Sequence, residues 1–315
     1  LRPPPVMWST PGQPAPLDTD FHSERFFYAQ RRQNGSRAEA FDIVELGVDG
    51  KSKTYEGGVP LGTFVFVPPD YVAVNTWTDL DDLKGGRTPR FFQLRNQSLK
   101  SVGRFKHSDA KCVVREIRPV GPGTIVLYVY VASDDKPRFE VHVYDIRTET
   151  TIAQVETTVD CRNGLQLAVD SAKSHVAVAS FRHVELRSLP DLKMIHDFPR
   201  PPGVEECIAV SNQGRHVAFG GQGVWVWQAS EGVSRLLHPA DTEPKLTLKT
   251  KGSHGDHLDQ GAAMHNYMMH SRQRTRFVEF LDDAGRLVEV TGDGVLSKWD
   301  VERQRQLESP RRLWK

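Results

Sequence analysis

Four histidines and two aspartates lie close together in one stretch, at His254, His257, His265 and His270 with Asp256 and Asp259. Imidazole and carboxylate are zinc-type ligands, and the spacing His254-x-x-His257 could bring two ring nitrogens to one ion. No cysteine is near and the spacing matches no established site. A solvated insertion is therefore expected, with no metal and no other cofactor. The same segment, 239–276, carries Met264, His265, Tyr267, Met268, Met269 and Arg272. A short helix over 261–272 would gather the methionines on one adaptable face, and flexible, polarizable side chains of that kind suit a protein partner. These six residues are the candidate partner-binding set.

Other chemistry is thinner. Asp79, Asp81 and Asp82 cluster in TWTDLDDLKGG, but two leucines interrupt the run and the spacing of a calcium loop is absent. The glycines of GGQG (220–223) lie between strands rather than before a helix, so they read as a turn and not as a phosphate loop. Arg272, Arg274 and Arg276, and Arg303, Arg305, Arg311 and Arg312, could contact phosphate, yet acidic residues are interspersed. There is no Gly-x-Ser-x-Gly elbow and no cysteine with a histidine at informative spacing, so no catalytic residue is assigned. His175 and His216 stand at one position of two consecutive similar stretches, and a repeated residue answers a repeated structural need.

The chain has 315 residues, 38% hydrophobic and 26% charged, as in a globular protein with much loop surface. Lys and Arg total 41 against 40 for Asp and Glu, a net charge of +1, without the basic excess of a dedicated nucleic-acid binder. Cys112, Cys161 and Cys207 are odd in number and far apart, which fits a reducing compartment; an intracellular, cytoplasmic or nuclear protein is expected. No apolar run reaches the length of a membrane span; the longest, TIVLYVYVA (124–132), is strand-length. Residues 1–20 form a proline-rich arm without a hydrophobic signal core.

What must position any site is a series of short strands. LQLAVDSAKSHVAVASFRHVELRS (165–188) lies over ECIAVSNQGRHVAFGGQGVWVWQA (206–229) without a gap, at an offset of 41 residues. FVEFLDDAGRLVEVTGDGVLSKWDVE (277–302) repeats the order of apolar strand, polar turn, apolar strand, tight turn and strand ending near Trp. Residues 24–57, 62–105 and 112–155 repeat it more loosely, with Tyr144-Asp145 where Trp299-Asp300 stands later. About 40 residues for four strands is the period of a propeller blade, and neither sandwich nor barrel has reason to keep it.

The residues Thr291, Asp293-Gly294 and Trp299-Asp300 resemble the WD40-repeat family, with Asp-Gly in the turn and Asp after the Trp. The resemblance implies a WD40-like all-β propeller over 21–315, with six legible blades, a seventh expected and an insertion at about 239–275. Val6–Ser9 is the candidate for a ring-closing strand. It also implies that Thr291, Asp293 and Trp299 share a hydrogen-bond network within their blade. By analogy with the family, the expected function is a non-enzymatic scaffold that binds one or more proteins as a subunit or adaptor of a complex. The alternatives are a propeller enzyme or ligand-binding protein with its site in the central channel, and nucleic-acid or phospholipid contact through the arginines.

Overall fold

The computed structural model describes residues 25–31, 40–47, 50–60, 62–76, 88–109, 112–132, 137–159, 166–201, 207–239, 274–282 and 285–313. The proline-rich arm with Val6–Ser9, the acidic turn at 79–82 and the Met/His segment with its helix at 261–272 lie outside them. Apart from a 3-10 turn at Asn212–Gly214, every regular element described is a strand.

The strands fall into repeated antiparallel meanders. β1 (Arg25–Arg31), β2 (Ala40–Gly47) and β3 (Ser52–Pro60) form a three-stranded unit. It joins the next meander through one parallel pair, Glu56 with Ser98. That meander is β4 (Gly62–Val67), β5 (Tyr71–Thr76), β6 (Arg90–Arg95) and β7 (Ser98–Arg104). β8 (Cys112–Gly121), β9 (Thr124–Val131), β10 (Arg138–Asp145) and β11 (Thr150–Thr157) form another. β12 (Gln166–Val169), β13 (His175–Ala179), β14 (His183–Ser188) and β15 (Met194–Pro199) follow.

The fifth unit is β16 (Cys207–Val210), β17 (His216–Gly221), β18 (Gly223–Gln228) and β19 (Val233–Pro239). The sixth is β20 (Thr275–Phe280), β21 (Arg286–Thr291) and β22 (Val295–Asp300), whose outer edge is completed by two short pieces, β23 (Arg305–Gln306) and β24 (Arg311–Arg312). These six units are the six repeats of the sequence. The 41-residue offset is a register: Val169 pairs with Val176 as Val210 pairs with Val217.

The chain divides into two compact units, a first carrying β1–β11 and a second carrying β12–β24. In each, one sheet is covered on both faces, and the period-2 alternation of a strand explains how. In the first unit Phe64, Phe66, Val72, Val74, Phe92 and Leu94 pack with Phe27, Ile43 and Tyr55 of β1–β3. The residues between them, Val65, Val67, Ala73 and Phe91, pack with Val114, Ile125, Leu127 and Tyr144 of the next sheet. In the second unit Val217, Phe219 and Trp227 face β12–β15, and Trp227 stacks on Phe198 at 3.9 Å and 4°. Ala218, Val224 and Val226 face Val278, Leu287 and Trp299. Strands buried on both faces cannot alternate apolar with polar residues, which is why TIVLYVYV and HVAFGG read as continuous apolar runs.

A register shift recurs where the outer strand of a meander pairs with its neighbour. The extra residue is Val102 in β7, Ile152 in β11, Ile195 in β15 and Leu237 in β19. Each is a β-bulge carrying a branched apolar side chain on the last strand of its meander; on β11, β15 and β19 the bend blunts an outer edge, whereas β7 pairs with β3.

Gly220, within GGQG, is a packing requirement. A Cβ there would stand 2.5 Å from Cys207 Sγ and 2.7 Å from Thr275 Cγ2. Gly220→Ala is expected to cost about 1–3 kcal/mol by overpacking, read as a fall in the urea midpoint at unchanged slope. An unaltered midpoint would show that β16 and β20 do not approach this closely.

Candidate functional site

Three metal-capable side chains meet in the first unit, and the sequence analysis singled out none of them. Arg138, Glu140 and His142 alternate along β10 and so share one face, next to Tyr144. Their cross-strand neighbours Val129 and Leu127 belong to the core against β4–β7. His107 reaches the same place from the segment after β7, just past the buried Phe105, whose ring lies edge-on to His142 at 5.3 Å. The side chains of His107, Glu140 and His142 are 2%, 4% and 2% exposed.

Glu140 is the hub. Its Oε2 is 2.8 Å from His107 Nε2, 2.8 Å from His142 Nε2 and 3.0 Å from Gln154 Nε2, while Arg138 Nε donates to Oε1 at 2.6 Å. Arg138 also donates to the Asp109 carboxylate. The Asp109 backbone N–H donates to His107 Nδ1 at 3.0 Å, which leaves the ring proton of a neutral His107 on Nε2. His142 Nδ1 has no hydrogen-bond partner. Burial alone would raise the carboxyl pKa of Glu140, but the bonds from Arg138, His107 and His142 outweigh it and hold the group down at about 2. Burial lowers the pKa of His142 against the pull of Glu140.

Elsewhere, buried ionisable groups close on one another in the same way. Glu185 accepts from Arg187 Nε at 2.9 Å and Nη2 at 2.7 Å, again two positions apart on one strand. Asp170, fully buried, accepts from the backbone N–H of His175 at 2.9 Å and lies 3.0 Å from His175 Nδ1. At the equivalent place Ser211 Oγ accepts from the His216 N–H at 2.8 Å. The two repeated histidines thus share a turn closed through the backbone. The His216 ring is buried, with Nε2 unpartnered, and burial lowers its pKa.

The motif residues of the last repeat divide into separate groups. Thr291 Oγ1 donates to Asp293 and accepts from the Val295 N–H at 3.1 Å, closing the Asp-Gly turn. The indole N–H of Trp299 goes to Glu289 Oε2 at 3.1 Å, and Thr275 Oγ1 donates to Glu289 Oε1 at 2.6 Å. Asp300 accepts from the Arg303 N–H at 3.0 Å, as Asp145 accepts from the Arg147 N–H at 2.7 Å, so the Asp after Trp or Tyr caps the next turn. Trp299 is thus joined through Glu289 to Thr275. Three of the arginines at 303–312 face carboxylates: Arg303 with Asp300, Arg311 with Glu308 and Arg312 with Asp293. His254, His257 and the set Met264, His265, Tyr267, Met268, Met269 and Arg272 lie outside the described residues.

No family model matches the chain, and no curated protein matches it. Among solved structures it is similar to the propeller of Dos1, at 9% identity and a TM-score of 0.53, over 90% of this chain and 67% of that one. It is also similar to Chaetomium thermophilum Sqt1 bound to the N-terminus of the ribosomal protein L10, at 14% identity and a TM-score of 0.46, over 93% and 86%. The first of these likenesses, with the repeated meanders, makes the fold an all-β, WD40-like β-propeller.

The buried groups set the acid limb of stability. His142 and His216 have folded pKa values below their ordinary 6.5, so stability is full above that value and falls as the unfolded chain takes up protons the fold refuses. Glu140, lowered from 4.5 to about 2, contributes about 3 kcal/mol above pH 4.5 that is lost as pH falls toward 2. Urea titrations from neutral to acid pH are expected to show unfolding free energy declining below about pH 6.5 and more steeply below about 4.5. Glu140→Gln is expected to flatten the second decline, and an identical acid limb in that variant would contradict the assignment.

Proposed function

We propose that the chain is a protein-interaction scaffold, a propeller that serves as a subunit or adaptor of a multiprotein complex and carries no catalytic centre. Support comes from how its polar and apolar groups are spent. Glu140, Asp170, Glu185 and Glu289 are buried and engaged with neighbouring side chains rather than presented to a substrate. The observation that carries the reading is the placement of exposed large apolar residues on outer strands. Ile152 on β11, Met194 and Ile195 on β15, and Val233 and Leu236 on β19 are each 40–50% exposed. Among the described residues those strands pair on one side only, so each offers an edge and an apolar side chain together. Met264, His265, Tyr267, Met268, Met269 and Arg272 are a second contact candidate, and an intracellular site of action fits the cysteine usage. Nucleic acid is the lesser reading, because Arg303, Arg311 and Arg312 already face carboxylates.

Affinity capture compares the intact chain with two variants of unchanged circular dichroism: Met194→Glu with Ile195→Glu, and a Gly/Ser linker in place of 250–274. A stoichiometric protein partner of the intact chain, weakened at least about tenfold in one variant, is expected, since one apolar anchor is worth 1–2 kcal/mol or more. Absence of any stoichiometric partner of the intact chain would sink the scaffold reading.

A further inference from the structure

We infer that His107, His142 and Glu140 form a structural site for one zinc-class divalent cation, with Gln154 as the fourth ligand. Ring nitrogens His107 Nε2 and His142 Nε2 and the carboxylate oxygen of Glu140 all lie within 4.8 Å of one another. Two imidazoles with a carboxylate select a zinc-type ion over calcium or magnesium, which prefer all-oxygen shells.

Crowding on a single atom makes the case. Three nitrogens, from His107, His142 and Gln154, point at Glu140 Oε2, while Oε1 receives only Arg138. A carboxylate oxygen has two lone pairs, so the third donor has none of its own. The point of convergence is Oε2 itself, so an ion sits beside that oxygen, between it and the three converging side chains. In a tetrahedral shell with bonds of ~2.0–2.1 Å the ligand atoms stand about 3.3 Å apart, so the 2.8 Å contacts need open by only about half an ångström.

The surroundings supply a second shell. Arg138 holds Oε1 of Glu140 and leaves Oε2 for the ion. On binding, each imidazole keeps one proton, moved from Nε2 to Nδ1. The His107 proton then faces the Asp109 carboxylate, which must close from 3.8 Å to complete the carboxylate–histidine–metal arrangement, and the 3.0 Å bond from the Asp109 amide is given up. His142 Nδ1 has no partner, so the proton there is a buried donor without an acceptor, a cost that the bonds to the ion must offset. Gln154 turns its amide over to present oxygen, an exchange that needs no backbone movement. Glu140 and Asp109 against Arg138 leave one net negative charge beside two neutral imidazoles, and a dication brings the group to one net positive charge. His107, Glu140 and His142 fill three positions from inside while Gln154 closes the fourth from the exposed side of β11, so the ion ties the 105–109 segment to β10 and β11.

The test is metal content of the full chain by plasma mass spectrometry, together with cobalt(II) titration after chelator treatment. Because the 254–270 histidines can also bind zinc, the variant His254→Gln/His257→Gln is measured beside His142→Gln. One zinc per chain in wild type and in the double variant, lost in His142→Gln, is expected, with the visible absorption of four-coordinate cobalt following the same pattern. Chelator is expected to lower the melting temperature of wild type and of the double variant. If His142→Gln does not fold, His107→Gln takes its place. Substoichiometric zinc in folded wild type, zinc retained by the His142 and His107 variants, or zinc lost in the double variant would each overturn the site.

Discussion

The structure depends on strands that are buried on both faces at once. A strand shows its side chains alternately to its two sides, so a sheet between two others must be apolar at every position, and the two faces must fit two different neighbours. The β4–β7 sheet meets this with Phe64, Phe66, Val72 and Val74 on one side and Val65, Val67, Ala73 and Phe91 on the other. The β16–β19 sheet meets it with smaller residues, and there the side chains of Cys207 and Thr275 crowd Gly220 so closely that it has no room for a methyl group. The outermost strands escape the constraint on one side. They carry bulges and the exposed Ile152, Met194 and Ile195.

A two-faced core leaves few places for charge, and the charges inside it are arranged accordingly. A buried carboxylate is tolerable when its lone pairs are occupied and its charge is matched. Glu185 finds Arg187 two residues along its own strand, and Glu140 finds Arg138 in the same way. Glu289 is held by Thr275 and Trp299, hydroxyl and indole donors from the two strands flanking β21. Asp145 and Asp300 bind the backbone of the turns they precede. The same rule that keeps these groups satisfied removes them from substrate chemistry and leaves the apolar edges as the accessible surface.

Much of the architecture was legible in the sequence because it is periodic. The 41-residue repeat appears unchanged as a strand register, and Tyr144-Asp145 and Trp299-Asp300 lead into equivalent turns. The His107–Glu140–His142 cluster was not legible, since its members lie 33 and 2 residues apart and only the fold brings them together. A partial signal was present in RFEVHVYD: Arg138, Glu140 and His142 alternate within an apolar run, on a strand too central to face water. The resemblance implied a link between Trp299 and the Thr291–Asp293 turn. The indole N–H goes to Glu289 on the adjacent strand, a partner that the resemblance did not name.

Hydrogen exchange of the free protein, followed by mass spectrometry on peptides of each strand, tests this division most directly. The account predicts slow exchange in β9, β10, β13, β14, β17 and β18 and exchange faster by orders of magnitude in β11, β15 and β19, whose outer edges meet no further strand among the described residues. Outer strands as protected as the middle ones would contradict it, because the edges assigned to partner binding would then already be covered.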